Sequence, residues 1–110
     1  MNASPITTHV LDTALGKPAA GLPVELLRNG KVLAQALTDE NGRVLSLVIA
    51  PIAPGTYELR FDTAAYATAT GSDVFYPHVS ITFRIEKANE HFHLPLILSP
   101  FGYTTYRGSR

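Results

Sequence analysis

The chain has 110 residues, one domain's worth of polypeptide, and nothing in its composition divides residues 1–110. Nine basic residues balance nine acidic ones, which excludes by default a nucleic-acid binder or a polybasic membrane-surface protein. The absence of Cys excludes a disulfide scaffold, a thiol nucleophile and thiolate metal sites. The 16% charged share lies below the roughly 25% usual for folded domains and points to surface covered by other subunits.

The chain order reads as short apolar segments punctuated by Gly and Pro about every ten residues, the spacing of an all-β sandwich or barrel. Ile6 to Asp12 is the first predicted strand, ended by Gly16-Lys17-Pro18, and Val10 is its core residue, so His9 faces out. Pro23 to Arg28 is the second. Asn29-Gly30, both tolerant of positive φ, makes a two-residue hairpin turn, and Lys31 to Thr38 returns. Asp39-Glu40-Asn41-Gly42 is the next turn, with a strand from Arg43 to Ile49 that sets Leu45 and Leu47 on the same side as Arg43. After Pro51 and Pro54-Gly55, Thr56 to Phe61 is a strand with Tyr57, Leu59 and Phe61 inward. Asp62 to Thr70 carries four alanines between a capping Asp and Gly71, and predicts one short helix. Ser80 to Glu86 turns Ile81, Phe83 and Ile85 inward; His91 to Ser99 turns Phe92, Leu94, Leu96 and Leu98 inward, leaving His91 and His93 on the outer face. A terminal strand is expected near Tyr103 to Tyr106.

No apolar run approaches the ~20 residues of a membrane span. The first residues lack a basic start followed by an apolar stretch, and Gly108-Ser109-Arg110 is not a peroxisomal address. The expected location is the cytoplasm.

The residues whose chemistry stands out are His9, Arg43, His91 and His93. His91-x-His93 sets two imidazoles on one strand face, about 7 Å apart at their backbones, which is compatible with a metal. The pair has no acidic residue at a ligand spacing, and ordinary exposed histidines are the competing reading, as they are for His78. Arg43 supplies either a solvated strand end or a fixed cationic fork for a planar polar ligand or a developing oxyanion. No serine elbow and no Gly-rich phosphate loop is present.

Longer strings carry more. Thr7-Thr8-His9-Val10-Leu11-Asp12-Thr13, with Gly16-Lys17-Pro18-Ala19, resembles the opening motif of the transthyretin family. His91-Phe92-His93-Leu94-Pro95-Leu96, then Leu98-Ser99-Pro100-Phe101 and the closing Tyr106-Arg107-Gly108-Ser109, resemble the branch of 5-hydroxyisourate hydrolases acting in urate breakdown. The resemblance implies a transthyretin-like, two-sheet β-sandwich of about eight strands with one short helix. It implies a homotetramer, a dimer of dimers, with sites where the dimers meet. It implies hydrolysis of 5-hydroxyisourate at N1–C6 with no cofactor and no metal. By position, the catalytic residues would be His9, Arg43 and His93, with Tyr106, Arg107, Gly108 and Ser109 joining His9 and Arg43 in binding substrate. Which histidine takes the first proton stays open. Arg110 departs from the family pattern, whose tail commonly stops at the serine. The alternatives are a small-molecule carrier like transthyretin itself, a plain interaction module, and a hydrolase of another cyclic ureide. A carrier channel lacks the His, Arg and Tyr-Arg-Gly-Ser set.

Overall fold

Period-two alternation of apolar residues builds two sheets whose inner faces meet. The computed structural model describes residues 5–48, 52–88 and 90–108. Its strands are β1 (Ile6–Asp12), β2 (Lys17–Pro18), β3 (Pro23–Arg28), β4 (Lys31–Leu37), β5 (Arg43–Val44), β6 (Gly55–Phe61), β7 (Val79–Ile85), β8 (Phe92–Ser99) and β9 (Gly102–Thr105), with one helix, α1 (Thr63–Thr70). The first sheet runs β2-β1-β8-β9, with β5 also paired to β1; the second runs β4-β3-β6-β7. β1 and β8 are parallel, from Ile6 opposite Phe92 to Asp12 opposite Leu98, while every other strand pair is antiparallel.

The core between the sheets holds Val10, Leu26, Leu59, Phe61, Ile85 and Leu96, each almost fully excluded from water. The inward sets expected for β6 and β8 are all buried; in β7, Ile81 and Ile85 are buried and Phe83 packs half-buried beside them. The Asn29-Gly30 hairpin turn is present, with positive φ at both residues, and it joins Arg28 to Lys31 in register. Helix α1 starts on Asp62, whose side chain accepts from the Ala65 N–H, and ends on left-handed Gly71, which donates to the Ala67 carbonyl. Asp12, buried at the end of β1, fastens the helix to the first sheet. It accepts from the Tyr66 hydroxyl at 2.7 Å and from the Ala14 and Leu15 N–H groups. Burial, then the hydrogen bond and charge of Asp12, push the Tyr66 phenol above its usual range.

Three expectations are corrected. Among the described residues, the strand predicted from Arg43 to Ile49 keeps two residues, Arg43 and Val44, which pair with His9 and Thr8. Beyond Val44 the chain leaves the ladder, so Leu47 is buried while Leu45 is 52% exposed, and the two do not share a side. Ile49 lies outside the described residues. Lys17-Pro18, read as a strand terminator, instead pairs with Leu11 and Asp12 as β2.

Candidate active site

The parity of β1 decides which groups reach the outer face of the first sheet. Ile6, Thr8 and Val10 point into the core, so Thr7, His9 and Leu11 point out. Register then supplies the neighbours. His9 stands opposite Arg43 of β5 on one side and Pro95 of β8 on the other. Thr7 stands opposite His93. Neighbouring strands lie about 4.8 Å apart, so His9, Arg43 and His93 gather on one face across three strands. His9 and His93 are each half-buried and Arg43 is exposed.

A tight turn aims Arg43. The Asp39 carboxylate accepts the Asn41 N–H at 2.8 Å and the Arg43 N–H at 3.0 Å. Asp39 and Arg43 also close a backbone bond of 2.9 Å. Gly42, at φ 74°, is required here, because a Cβ would collide with the Val10 carbonyl. The Val10 N–H in turn donates to the Gly42 carbonyl at 2.7 Å.

His93 is held on two sides. Its Nδ1 lies 2.8 Å from the Thr7 hydroxyl, which also lies 3.1 Å from His91 Nε2. Its carbonyl accepts the Gly108 N–H at 2.8 Å. A Cβ on residue 108 would come 2.8 Å from His93 Cδ2 and 3.0 Å from Pro95 Cγ, so the glycine lets the tail lie flat on the ring. The His93 imidazole is lowered below its ordinary value, first by burial, then by the charges of His9, His91 and Arg43. It is therefore neutral at neutral pH, with Nε2 engaged by no protein group among the described residues. A neutral imidazole beside a guanidinium, with no carboxylate among the described residues to neutralise the pair, can accept a proton from water while the cation stabilises charge on a carbonyl oxygen.

The tail follows β8 with one interruption. Leu96 pairs with Thr105 and His93 bridges to Gly108, so Tyr106 and Arg107 fall opposite Pro95 and Leu94. Pro95 has no N–H to give, and its carbonyl takes the Thr105 hydroxyl at 2.7 Å. That is why β9 ends at Thr105 and the tail rejoins only at Gly108. The same register gives Arg107 the inward parity of Leu94. Its guanidinium stacks 4.5 Å from the Phe92 ring centre and pairs with Glu90 at 3.2 Å. In the single chain, then, Arg107 is not gathered with His9, Arg43 and His93. Tyr106 carries the outward parity of His93 and is 56% exposed. Ser109 and Arg110 lie outside the described residues. His78 is exposed beside a groove on the second sheet, away from the cluster. Thr7 was missed as a site residue: a threonine on a strand reads as an ordinary β-former, and only its place two residues before His9, on the same face, gave a signal.

The fold and the clustered side chains together define a transthyretin-like sandwich with imidazoles and a guanidinium on the outer face of its first sheet. The family model described as HIUase/Transthyretin family matches residues 6–108. A mouse protein named 5-hydroxyisourate hydrolase is 47% identical, with 97% of each chain covered. The solved 5-hydroxyisourate hydrolase of Klebsiella pneumoniae superimposes with a TM-score of 0.87 at 38% identity, over 94% of this chain and 98% of that one. Sea bream transthyretin, solved with thyroxine, superimposes almost equally at 0.86 and 30% identity, over 96% of each chain. The chain belongs to the HIUase/Transthyretin family.

Proposed function

We propose that the chain is a hydrolase that opens the six-membered ring of 5-hydroxyisourate at N1–C6 in urate degradation. The overall fold cannot choose between hydrolase and carrier, since the Klebsiella hydrolase and sea bream transthyretin overlay it with TM-scores of 0.87 and 0.86. The observation that carries the reading is the outer-face cluster itself. His9 and Arg43 lie directly across from each other, beside an imidazole kept neutral by burial and neighbouring charge. The 47% identity to the mouse hydrolase supports the same reading.

In this mechanism one imidazole of the His9–His93 pair takes a proton from water, and the hydroxide oxygen bonds to C6. Arg43 stabilises the oxyanion that forms. As the intermediate collapses, the C6–N1 bond breaks and the imidazolium returns its proton to N1. The product carries a free carboxylate and keeps the five-membered ring. Tyr106, Gly108 and Ser109 orient the substrate ring, and Arg107, stacked on Phe92, anchors the tail that carries them.

The site is completed by other copies of the chain, in a homotetramer assembled as a dimer of dimers. The outer face beside His9 carries exposed Leu11 and Tyr106, and exposed Leu45 follows two residues after Arg43, apolar surface of the kind that marks a contact. Edge strands β7 and β9 offer unpaired backbone for joining two copies. The proposed compartment is the cytoplasm. Separately, among the described residues no helix is long and apolar enough to cross a membrane.

The test is direct. Urate oxidised by uricase gives a transient ultraviolet absorbance, and the protein is expected to speed its decay well beyond the spontaneous rate, before and after exhaustive chelation. Decay at the spontaneous rate overturns the hydrolase. Activity lost on chelation and restored by zinc overturns the metal-free mechanism.

A further inference from the structure

The Thr7 hydroxyl sits between two imidazoles, 2.8 Å from His93 Nδ1 and 3.1 Å from His91 Nε2. Thr7 is 6% exposed, so water does not compete freely for its oxygen. A hydroxyl has one proton to donate. It can donate to one of these nitrogens only, and the other must then carry a proton of its own and donate to it.

We infer that Thr7 is a positioning residue for His93, and that its single hydroxyl proton couples the tautomer of His93 to that of His91. The inference rests on the hydrolase reading for its kinetic consequence, but its structural content stands apart from substrate. With the hydroxyl proton placed between the two rings, two arrangements satisfy both contacts. In one, His93 Nδ1–H donates to Thr7 Oγ1, Thr7 donates to bare His91 Nε2, and His93 Nε2 holds a lone pair. In the other, His91 Nε2–H donates to Thr7, Thr7 donates to bare His93 Nδ1, and His93 Nε2 carries the proton. Only the first makes His93 a base.

The first arrangement is also the one that survives proton uptake. Once protonated at Nε2, His93 donates from both nitrogens, so Thr7 must already be accepting from Nδ1–H. No hydroxyl has to turn during the chemical step, which is the pre-organisation that electrostatic catalysis requires. The other groups facing His93 cannot set its tautomer this way. His9 of β1 and Arg43 of β5 act on it through charge, and Gly108 binds its carbonyl rather than its ring. Thr7 therefore acts through His93, much as the buried acid of a hydrolytic triad fixes the tautomer of its histidine.

The experiment uses the full chain and three variants, Thr7→Val, Thr7→Ser and His91→Phe. Nitrogen-15 spectra of the substrate-free protein at pH 8 read the tautomer of neutral His93 directly. The expected result is an Nδ1-protonated ring in the wild type and in Thr7→Ser. In Thr7→Val, and also in His91→Phe where the hydroxyl remains but its acceptor is gone, the ring becomes Nε2-protonated. In the kinetic arm, Thr7→Val loses at least about tenfold in kcat with KM changed by less than about twofold, and Thr7→Ser recovers most of the loss. An unchanged His93 tautomer in all three variants, or wild-type kcat in Thr7→Val, overturns the inference. If Thr7→Val does not fold, Thr7→Ser and His91→Phe still decide. A wild type without ring-opening activity sinks the hydrolase reading alone, since the spectra still report on Thr7.

Discussion

The two sheets present outer faces of opposite character. On the second sheet, charge is matched across the ladder. Glu25 stands opposite Arg60, and the Arg60 guanidinium reaches Glu58 at 3.3 Å and Glu25 at 4.0 Å. On the first sheet, three imidazoles and a guanidinium face one another with no acidic partner among the described residues. A face that merely needs to stay soluble pairs its charges. A face that keeps like groups together, half-buried and unneutralised, holds an imidazole in its neutral form and leaves a cation free for a ligand. The second face also carries a groove of about 880 Å³, lined in part by Glu25, Arg60 and His78. In the proposed reading, then, the site is marked by charge left unpaired among the described residues rather than by concavity.

That contrast can be broken most sharply on the first sheet. Replacing His93, His9 or Arg43 singly by Ala should lower kcat/KM for 5-hydroxyisourate by about 10²–10³-fold, while sizing chromatography shows an unchanged assembly. Loss of less than about threefold for all three would remove the cluster from catalysis.

Gly108→Ala comes next. The added methyl presses on His93 Cδ2 and on Pro95, so about a tenfold fall in kcat is expected, set by how far the ring turns from its productive position. Thermal unfolding of this variant should stay near that of the wild type, because the tail lies at the surface.

The pH profile refines the electrostatic half of the comparison. His93 is lowered from the ordinary 6.5 by burial and by neighbouring charge. A lowered value keeps His93 neutral further into acid, so with His93 as the base kcat/KM should hold from pH 8 downward and fall only below the ordinary imidazole range. Arg43→Gln removes one of the lowering charges, and the residual activity should begin to fall at higher pH than in the wild type.

The smallest effect belongs to the other face. Arg60→Ala breaks two half-buried surface ion pairs, which should change unfolding stability by about 1 kcal/mol or less and leave turnover untouched. A large activity loss there would erase the distinction between the faces.

Much of this was legible before any coordinates, for identifiable reasons. Phe92, Leu94, Leu96 and Leu98 alternate so regularly that the outward placement of His93 follows from counting. Helix α1 was readable from its ends, since Asp62 and Gly71 cap it, though only Thr63, Tyr66 and Ala67 of the helix are buried. Strand β5 was overextended because apolar residues continue past Val44, and a ladder stops where partners stop, which no local pattern records. The orientation of Arg107 was hidden for a related reason. It depends on the register carried past Pro95, and through that on a pairing between residues far apart in the chain. Thr7 escaped notice because its role lies in what stands opposite it.

The parallel pairing of β1 with β8 has a consequence for how the molecule matures. Thr7 and His93 are separated by 86 residues in the chain, and they meet only when the first strand docks beside the eighth. Such distant pairings close late and slowly, because a long loop's entropy must be overcome before any contact rewards it. No fragment lacking either segment can assemble the cluster. During refolding, regain of turnover should therefore trail the formation of the β3–β4 hairpin, making the enzyme its own reporter of completed folding.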